Sequence, residues 1–298
     1  MKVLLTGSSG QLGKEIIKSK PNGINLITSN RSELDLRCPK SCKEYIKNTR
    51  PDWLINCGAY TNVEKAESEE NIAYLINSLS VKYLAESIKE INSKFIQIST
   101  DYVFDGDKKS PYFPGDIKRP INIYGKTKSL GEDFIKDIFK NNNNAIIIRT
   151  SWLMGPTGSN FALKMLNHLS NNEKVDVIND QIGSPTTTFT LAKACWETIR
   201  INSLGTKIPS ILHFANEGEA SWFEIAIEIQ KIATDLGLLD KPININPVSS
   251  SAYPSIAKRP KYSVLDCRCS FKSISIINIH WRTAFRNLFL EYKRNLAQ

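Results

Sequence analysis

Three glycines spaced by three, Gly7, Gly10 and Gly13, follow the first apolar run, Lys2–Leu5, and open a helical pattern over Gln11–Lys18. Strand, glycine turn, helix is the arrangement that lets backbone N–H groups approach a pyrophosphate, because glycine has no side chain to hold it off. The spacing G-x-x-G-x-x-G is a variant of the dinucleotide fingerprint G-x-G-x-x-G, and a purely structural turn is the alternative. Further runs at Ile24–Thr28, Trp53–Asn56, Phe95–Ser99 and Ala145–Arg149 read as strands, with Val175–Ile178 and Ile211–Phe214 weaker. Ile72, Leu75, Ile76, Leu79, Leu84, Ala85 and Ile88 share one helical face between two of them. Alternation of this kind builds right-handed βαβ units, hence a doubly wound parallel α/β sheet of the Rossmann type.

The alternation loosens after about residue 150, where Ser, Pro and Asn become frequent. The expected division is a dinucleotide-binding domain of residues 1–151, 175–216 and 279–298, and a smaller, interrupted substrate domain of 152–174 and 217–278. The helical pattern at Trp281–Tyr292 is expected to pack back on the first domain. The chain has 298 residues, 41% of them hydrophobic, which suffices for a sizeable core. No apolar run approaches the roughly 20 residues that span a bilayer, and no export signal is visible, so a cytoplasmic protein without a membrane partner is expected. The six cysteines form no C-x-x-C pair and only three histidines are present, so no structural metal is expected and the thiols should be reduced. The net charge of +9 is spread along the chain rather than gathered with aromatics. That argues against a nucleic-acid partner and fits a solvated surface with some bias toward phosphorylated small molecules.

Two further features carry chemistry. Tyr124 and Lys128 stand four residues apart, on one face of a helix. A nearby ammonium stabilises a phenolate, so the pair is a candidate proton-transfer device. The second strand ends in Thr28-Ser29-Asn30-Arg31 without the acidic residue that would bind an adenosine 2′-hydroxyl. Arg31 either accepts a 2′-phosphate there, which would favour NADPH over NADH, or is a solvated loop arginine. Asp35-Leu36 either borders the adenine or starts a helix. The small residues of Asn56-Cys57-Gly58-Ala59-Tyr60-Thr61 would let a cofactor lie against the end of the third strand.

Several runs point to one family: Ser99-Thr100-Asp101-Tyr102-Val103-Phe104-Asp105-Gly106, Tyr124-x-x-x-Lys128, Arg149-Thr150-Ser151-Trp152, Asp180-Gln181-x-Gly183-x-Pro185-Thr186 and Ala257-Lys258-Arg259-Pro260. From the first strand to about residue 266 the chain resembles the dTDP-4-dehydrorhamnose reductases, an extended branch of the short-chain dehydrogenase/reductases. That resemblance implies reduction of a 4-keto nucleotide sugar by NADPH, with NADH possible. It implies that Tyr124 donates a proton, that Lys128 holds the nicotinamide ribose and lowers the Tyr124 pKa, and that Thr100 holds the keto oxygen. Asp101, Trp152, Asn160 and Arg259 would face the nucleotide sugar, with Arg259 at its diphosphate and Phe161 nearby. Asp180 and Gln181 would order the site or fix a turn. The cofactor would meet Gly7, Gly10, Gln11, Leu12, Gly13, Asn30, Arg31, Asp35, Leu36, Gly58, Ala59 and Tyr60, besides Tyr124 and Lys128.

Some members of that family dimerise through Mg2+ held by glutamates. Glu15 and Glu291 match, but Phe189 stands where another glutamate is expected. Mg2+ is therefore doubtful, and a monomer or a homodimer stays open. The resemblance also leaves two other classes: an epimerase or dehydratase on a nucleotide sugar, which would retain NAD, and a non-catalytic regulatory subunit.

Overall fold

The computed structural model describes residues 1–29, 31–253 and 255–297. Five parallel strands, β1 (Lys2–Thr6), β2 (Asn25–Thr28), β3 (Trp53–Asn56), β4 (Lys94–Thr100) and β5 (Ala145–Thr150), form the sheet together with the strand Ile211–His213. Their spatial order is β2, β1, β3, β4, β5 and then Ile211–His213. All neighbours are parallel. β3 and β5 are buried throughout, which is why they read as unbroken apolar runs rather than alternating ones. The expected doubly wound α/β sheet is thus the observed one. The chain moves outward from β1 to β2, then crosses to β3 on the other side. The order reverses between β1 and β3, and open α/β sheets bind ligands beyond the carboxyl ends at such a point.

Each face of the sheet is covered. One carries helix α1 (Gln11–Lys18) and the helix Thr188–Ser203 over Val3, Leu5, Ile55 and Ile148. The other carries the helices Pro39–Thr49 and Ser80–Glu90 over Leu4, Leu54, Phe95 and Ile147. The helical face anticipated over Ile72–Ile88 is not one α-helix. A π turn at Leu75–Leu79 separates Glu70–Tyr74 from Ser80–Glu90. Insertions of this kind redirect side chains, and here the Asn77 side chain becomes buried and reaches Tyr60 and Thr127.

A second core lies beside the sheet. It joins the helices Phe161–Asn171 and Trp222–Asp235 with the parallel strand pair Lys174–Ile178 and Asn244–Val248. The C-terminal helix Trp281–Leu296 fills this second core, where the pattern at Trp281–Tyr292 was expected to pack on the first domain. Trp281, Phe285, Leu288 and Phe289 form one stripe at helical spacing, and that stripe fills the second core. Among the described residues no helix is long and apolar enough to cross a membrane.

Candidate active site

A cleft of about 770 Å3 runs along the carboxyl ends of β1, β3, β4 and β5 and continues between the sheet and the second core. Its floor at one end is the glycine turn. Gly7 has φ +66°, and a Cβ there would lie 2.6 Å from the Gly58 nitrogen, so the β1 and β3 ends close together because position 7 is glycine; a Cβ on Gly58 would instead lie 2.5 Å from Leu36 Cδ1. A Cβ on Gly13 would lie 2.7 Å from Ser8 Cα. Gly10 is the N-cap of α1 and offers no side-chain cap, which leaves the first-turn N–H groups to a ligand. Gln11, Leu12, Gly58 and Ala59 line the same end.

Arg31, Asp35 and Leu36 border the cleft next to this turn, while Asn30 lies outside the described residues. Arg37, not singled out from the sequence, lies beside them and forks onto Asp35 (Nη2–Oδ2 2.6 Å), holding that carboxyl below its ordinary range. Tyr60 does not join them. Its hydroxyl donates to Glu69 at 2.6 Å, and Asn77 holds its backbone N–H and carbonyl. Tyr60 is not among the residues lining the cleft, whereas its neighbours Ala59 and Thr61 are.

The middle of the cleft gathers Thr100, Asp101, Tyr124 and Lys128. Thr100 ends β4. Its hydroxyl donates to Asp101 Oδ1 at 2.9 Å and accepts the Tyr102 N–H at 3.1 Å. Tyr124 and Lys128 sit one turn apart on the helix Ile123–Ile138, whose N-cap Asn122 accepts the Gly125 N–H at 2.7 Å. Lys128 is buried and its ammonium donates to the Ile98 carbonyl at 2.7 Å; burial lowers its pKa to about 8. Glu132, one turn further, opposes that shift; Ser99 and the fully buried Arg149 fix its carboxylate at 2.6 and 2.7 Å. The expectation that Lys128 depresses the Tyr124 pKa is not met here. Burial drives the phenol upward, Asp101 and Tyr102 add to the rise, and only hydrogen bonding with Thr100 opposes it. A phenol so placed stays protonated at neutral pH, the form that gives a proton away. Asp101 is buried, its Oδ2 has no hydrogen-bond partner, and burial raises its pKa to about 6.

The far end belongs to the second core. Trp152 lines it with φ +46°, an uncommon backbone state for a bulky residue. Its ring lies over Gly183, where a Cβ would be 2.5 Å from the indole. It stacks on Trp222 with centroids 3.6 Å apart and planes 9° apart. Trp222 went unnoticed in the sequence. The Ser221–Glu224 capping box announces the helix start, but nothing in that pattern says where the first indole points. Gln181 accepts the Trp222 indole N–H at 3.2 Å, and Asp180 is held by Ser249 and Ser250, so this pair orders the wall. Asn160 caps the helix Phe161–Asn171 and donates to Gln11 at 2.8 Å, joining the second core to the glycine turn. Phe161 packs on Trp222 instead of facing the cleft. Arg259 reaches the cleft and is paired to Glu64 at 2.6 Å. Glu15, Phe189 and Glu291 line a separate cleft of about 240 Å3, where Glu291 is ion-paired with Lys18.

Residues 1–294 match the family described as the RmlD substrate binding domain. The spore coat polysaccharide biosynthesis protein SpsK of Bacillus subtilis is 37% identical over 291 residues, 97% of each chain. A solved dTDP-4-dehydrorhamnose reductase from Clostridium acetobutylicum superposes with a TM-score of 0.90 at 34% identity, covering 98% of this chain and 100% of that one. A dTDP-4-dehydrorhamnose reductase from Bacillus anthracis, solved in complex with NADP, gives a TM-score of 0.86 at 33% identity, covering 97% and 99%.

Proposed function

The chain belongs to the RmlD substrate binding domain family, and from that premise we propose that it reduces the 4-keto group of dTDP-4-dehydro-L-rhamnose with NADPH to give dTDP-L-rhamnose. The observation that carries the reading is the convergence of Thr100, Tyr124 and Lys128 in one cleft with an uncapped glycine turn at its other end. The turn and the close approach of Gly7 to Gly58 leave room for a dinucleotide, and Arg31 borders the place where a 2′-phosphate would lie.

NADPH, when bound, supplies the hydride that adds to C4 of the sugar. The protein does the rest. Thr100 turns its one hydroxyl proton from Asp101 Oδ1 to the keto oxygen and polarises it. Tyr124, held protonated by burial, gives its proton to the oxygen as negative charge develops there. Lys128, still largely cationic at pH 7 with a pKa of about 8, holds the nicotinamide ribose hydroxyls and adds positive potential beside the reacting carbonyl. Asp101 offers its unpartnered Oδ2 to a sugar hydroxyl. Trp152 covers the sugar ring, backed by Trp222, and Arg259 takes the diphosphate. In this arrangement the sheet unit holds the dinucleotide and the second core holds the nucleotide sugar. We place the protein in the cytoplasm, acting as a monomer or homodimer.

The test is the oxidation of NADPH by the purified protein in the presence of dTDP-4-dehydro-L-rhamnose, with identification of the product. Formation of dTDP-L-rhamnose supports the reading. Tightly retained NAD with no requirement for added NADPH would instead indicate an epimerase or dehydratase, and no turnover at all a non-catalytic role.

A further inference from the structure

The segment that brings Arg259 to the cleft gathers on the carboxylate of Glu64. Glu64 lies in the first turn of the short helix Val63–Ala66. Its Oε1 accepts the Ser255 hydroxyl and Arg259 Nη2, each at 2.6 Å. Its Oε2 accepts the backbone N–H groups of Ile256 at 3.1 Å and Ala257 at 3.4 Å. One side chain thus takes four hydrogen bonds from a stretch of five residues. A second tie is Asn122, whose Oδ1 caps the helix bearing Tyr124 and Lys128 while its Nδ2 donates to the Lys258 carbonyl at 2.8 Å. The loop and the proton-donating helix therefore share a support.

Stability of the fold does not account for this convergence. The Glu64 and Arg259 side chains are 38% and 30% exposed, and ion pairs at such exposure add little to folding. Orientation accounts for it better. A guanidinium has five N–H donors, and the bond to Glu64 uses Nη2, which leaves others for a phosphate. A guanidinium held from behind has already lost the side-chain freedom that binding would otherwise remove.

We propose that Glu64 is a positioning residue that seats the 255–259 loop and turns Arg259 toward the diphosphate of the nucleotide sugar. The proposal rests on the reductase reading above for the identity of the ligand. It differs from a simpler alternative in which Glu64 competes with the diphosphate for Arg259, because the two predict opposite signs when the carboxylate is neutralised.

The experiment compares wild type, Glu64→Gln and Ser255→Ala in steady-state kinetics at saturating NADPH and in calorimetric titrations with dTDP and with NADPH. For Glu64→Gln, the KM for the nucleotide sugar and the Kd for dTDP are expected to rise about tenfold, with kcat within about twofold and NADPH affinity unchanged. Ser255→Ala, which removes one bond to Glu64 and the hydroxyl's contact with the Ala257 carbonyl but keeps the carboxylate, is expected to shift both in the same direction by a smaller factor. Unchanged or tighter dTDP binding in Glu64→Gln overturns the proposal, as does a parallel loss of NADPH affinity in either variant. Lack of turnover by wild type would overturn the reductase reading alone, since dTDP binding still reports on the loop.

Discussion

Asp101 carries a stability cost that can be read out directly. It is 2% exposed, its Oδ2 has no partner, and burial raises its pKa from 3.8 to about 6. A displacement of about two units, at about 1.36 kcal/mol per unit, corresponds to roughly 3 kcal/mol by which the ionised group disfavours the folded state at pH 7. The direction follows from proton counting. Between about pH 4 and pH 6 the folded chain binds more protons at this site than the unfolded chain does. Its contribution to stability is complete below about pH 4 and is lost as pH rises through about 6. Asp101→Asn keeps the shape and the acceptor for Thr100 but has no charge to bury. The variant is expected to match wild type below about pH 4 and to exceed it by up to about 3 kcal/mol at pH 7, with the gap opening between those values. Denaturant unfolding of both proteins at a series of pH values measures this. The same substitution should lower kcat/KM for the nucleotide sugar if, as proposed, the carboxylate accepts a hydrogen bond from a sugar hydroxyl. A gap that is absent at pH 7, or that opens as pH falls, would show that the Asp101 carboxylate costs the fold nothing when ionised.

Two other substitutions probe the ends of the cleft. Arg31→Ala should raise the KM for NADPH about tenfold and leave that for NADH nearly unchanged, since only NADPH carries the 2′-phosphate; equal effects on both cofactors would remove Arg31 from that role. Trp222→Ala takes away the ring stacked at 3.6 Å on Trp152 and should raise the KM for the nucleotide sugar about fivefold to tenfold. Its NADPH affinity, followed by titration, should stay at the wild-type value, and a loss there would mean that the second core had collapsed.

The sheet was readable because fully buried parallel strands leave short apolar runs, as at Trp53–Asn56, and because glycine is required where β1 and β3 nearly touch. The second core was less readable. Its strands Ile182–Gly183 and Ala220–Ser221 are two residues long and owe their pairing to tertiary contact. The terminal helix showed its apolar stripe plainly, but a stripe does not name its partner, and Trp281 to Phe289 fill the second core. Side-chain directions in irregular segments carry no period. Hence the Tyr60 ring turned to Glu69, Trp222 at the far wall and Glu64 beneath Arg259 emerge only from the structure. Tyr124 and Lys128 were legible as a pair from their spacing. The Tyr124 pKa was not, because spacing suggests an ammonium beside the phenol, whereas burial, Asp101 and Tyr102, which raise it, are set by the tertiary fold.

In the proposed reaction Tyr124 delivers the proton while the rest of the cleft binds both reactants. Single-turnover reduction of dTDP-4-dehydro-L-rhamnose by Tyr124→Phe, paired with titration of NADPH into the same protein, tests it most directly. The expected result is a fall in the rate of about a hundredfold or more with NADPH affinity retained. A variant that turns over at the wild-type rate would contradict it.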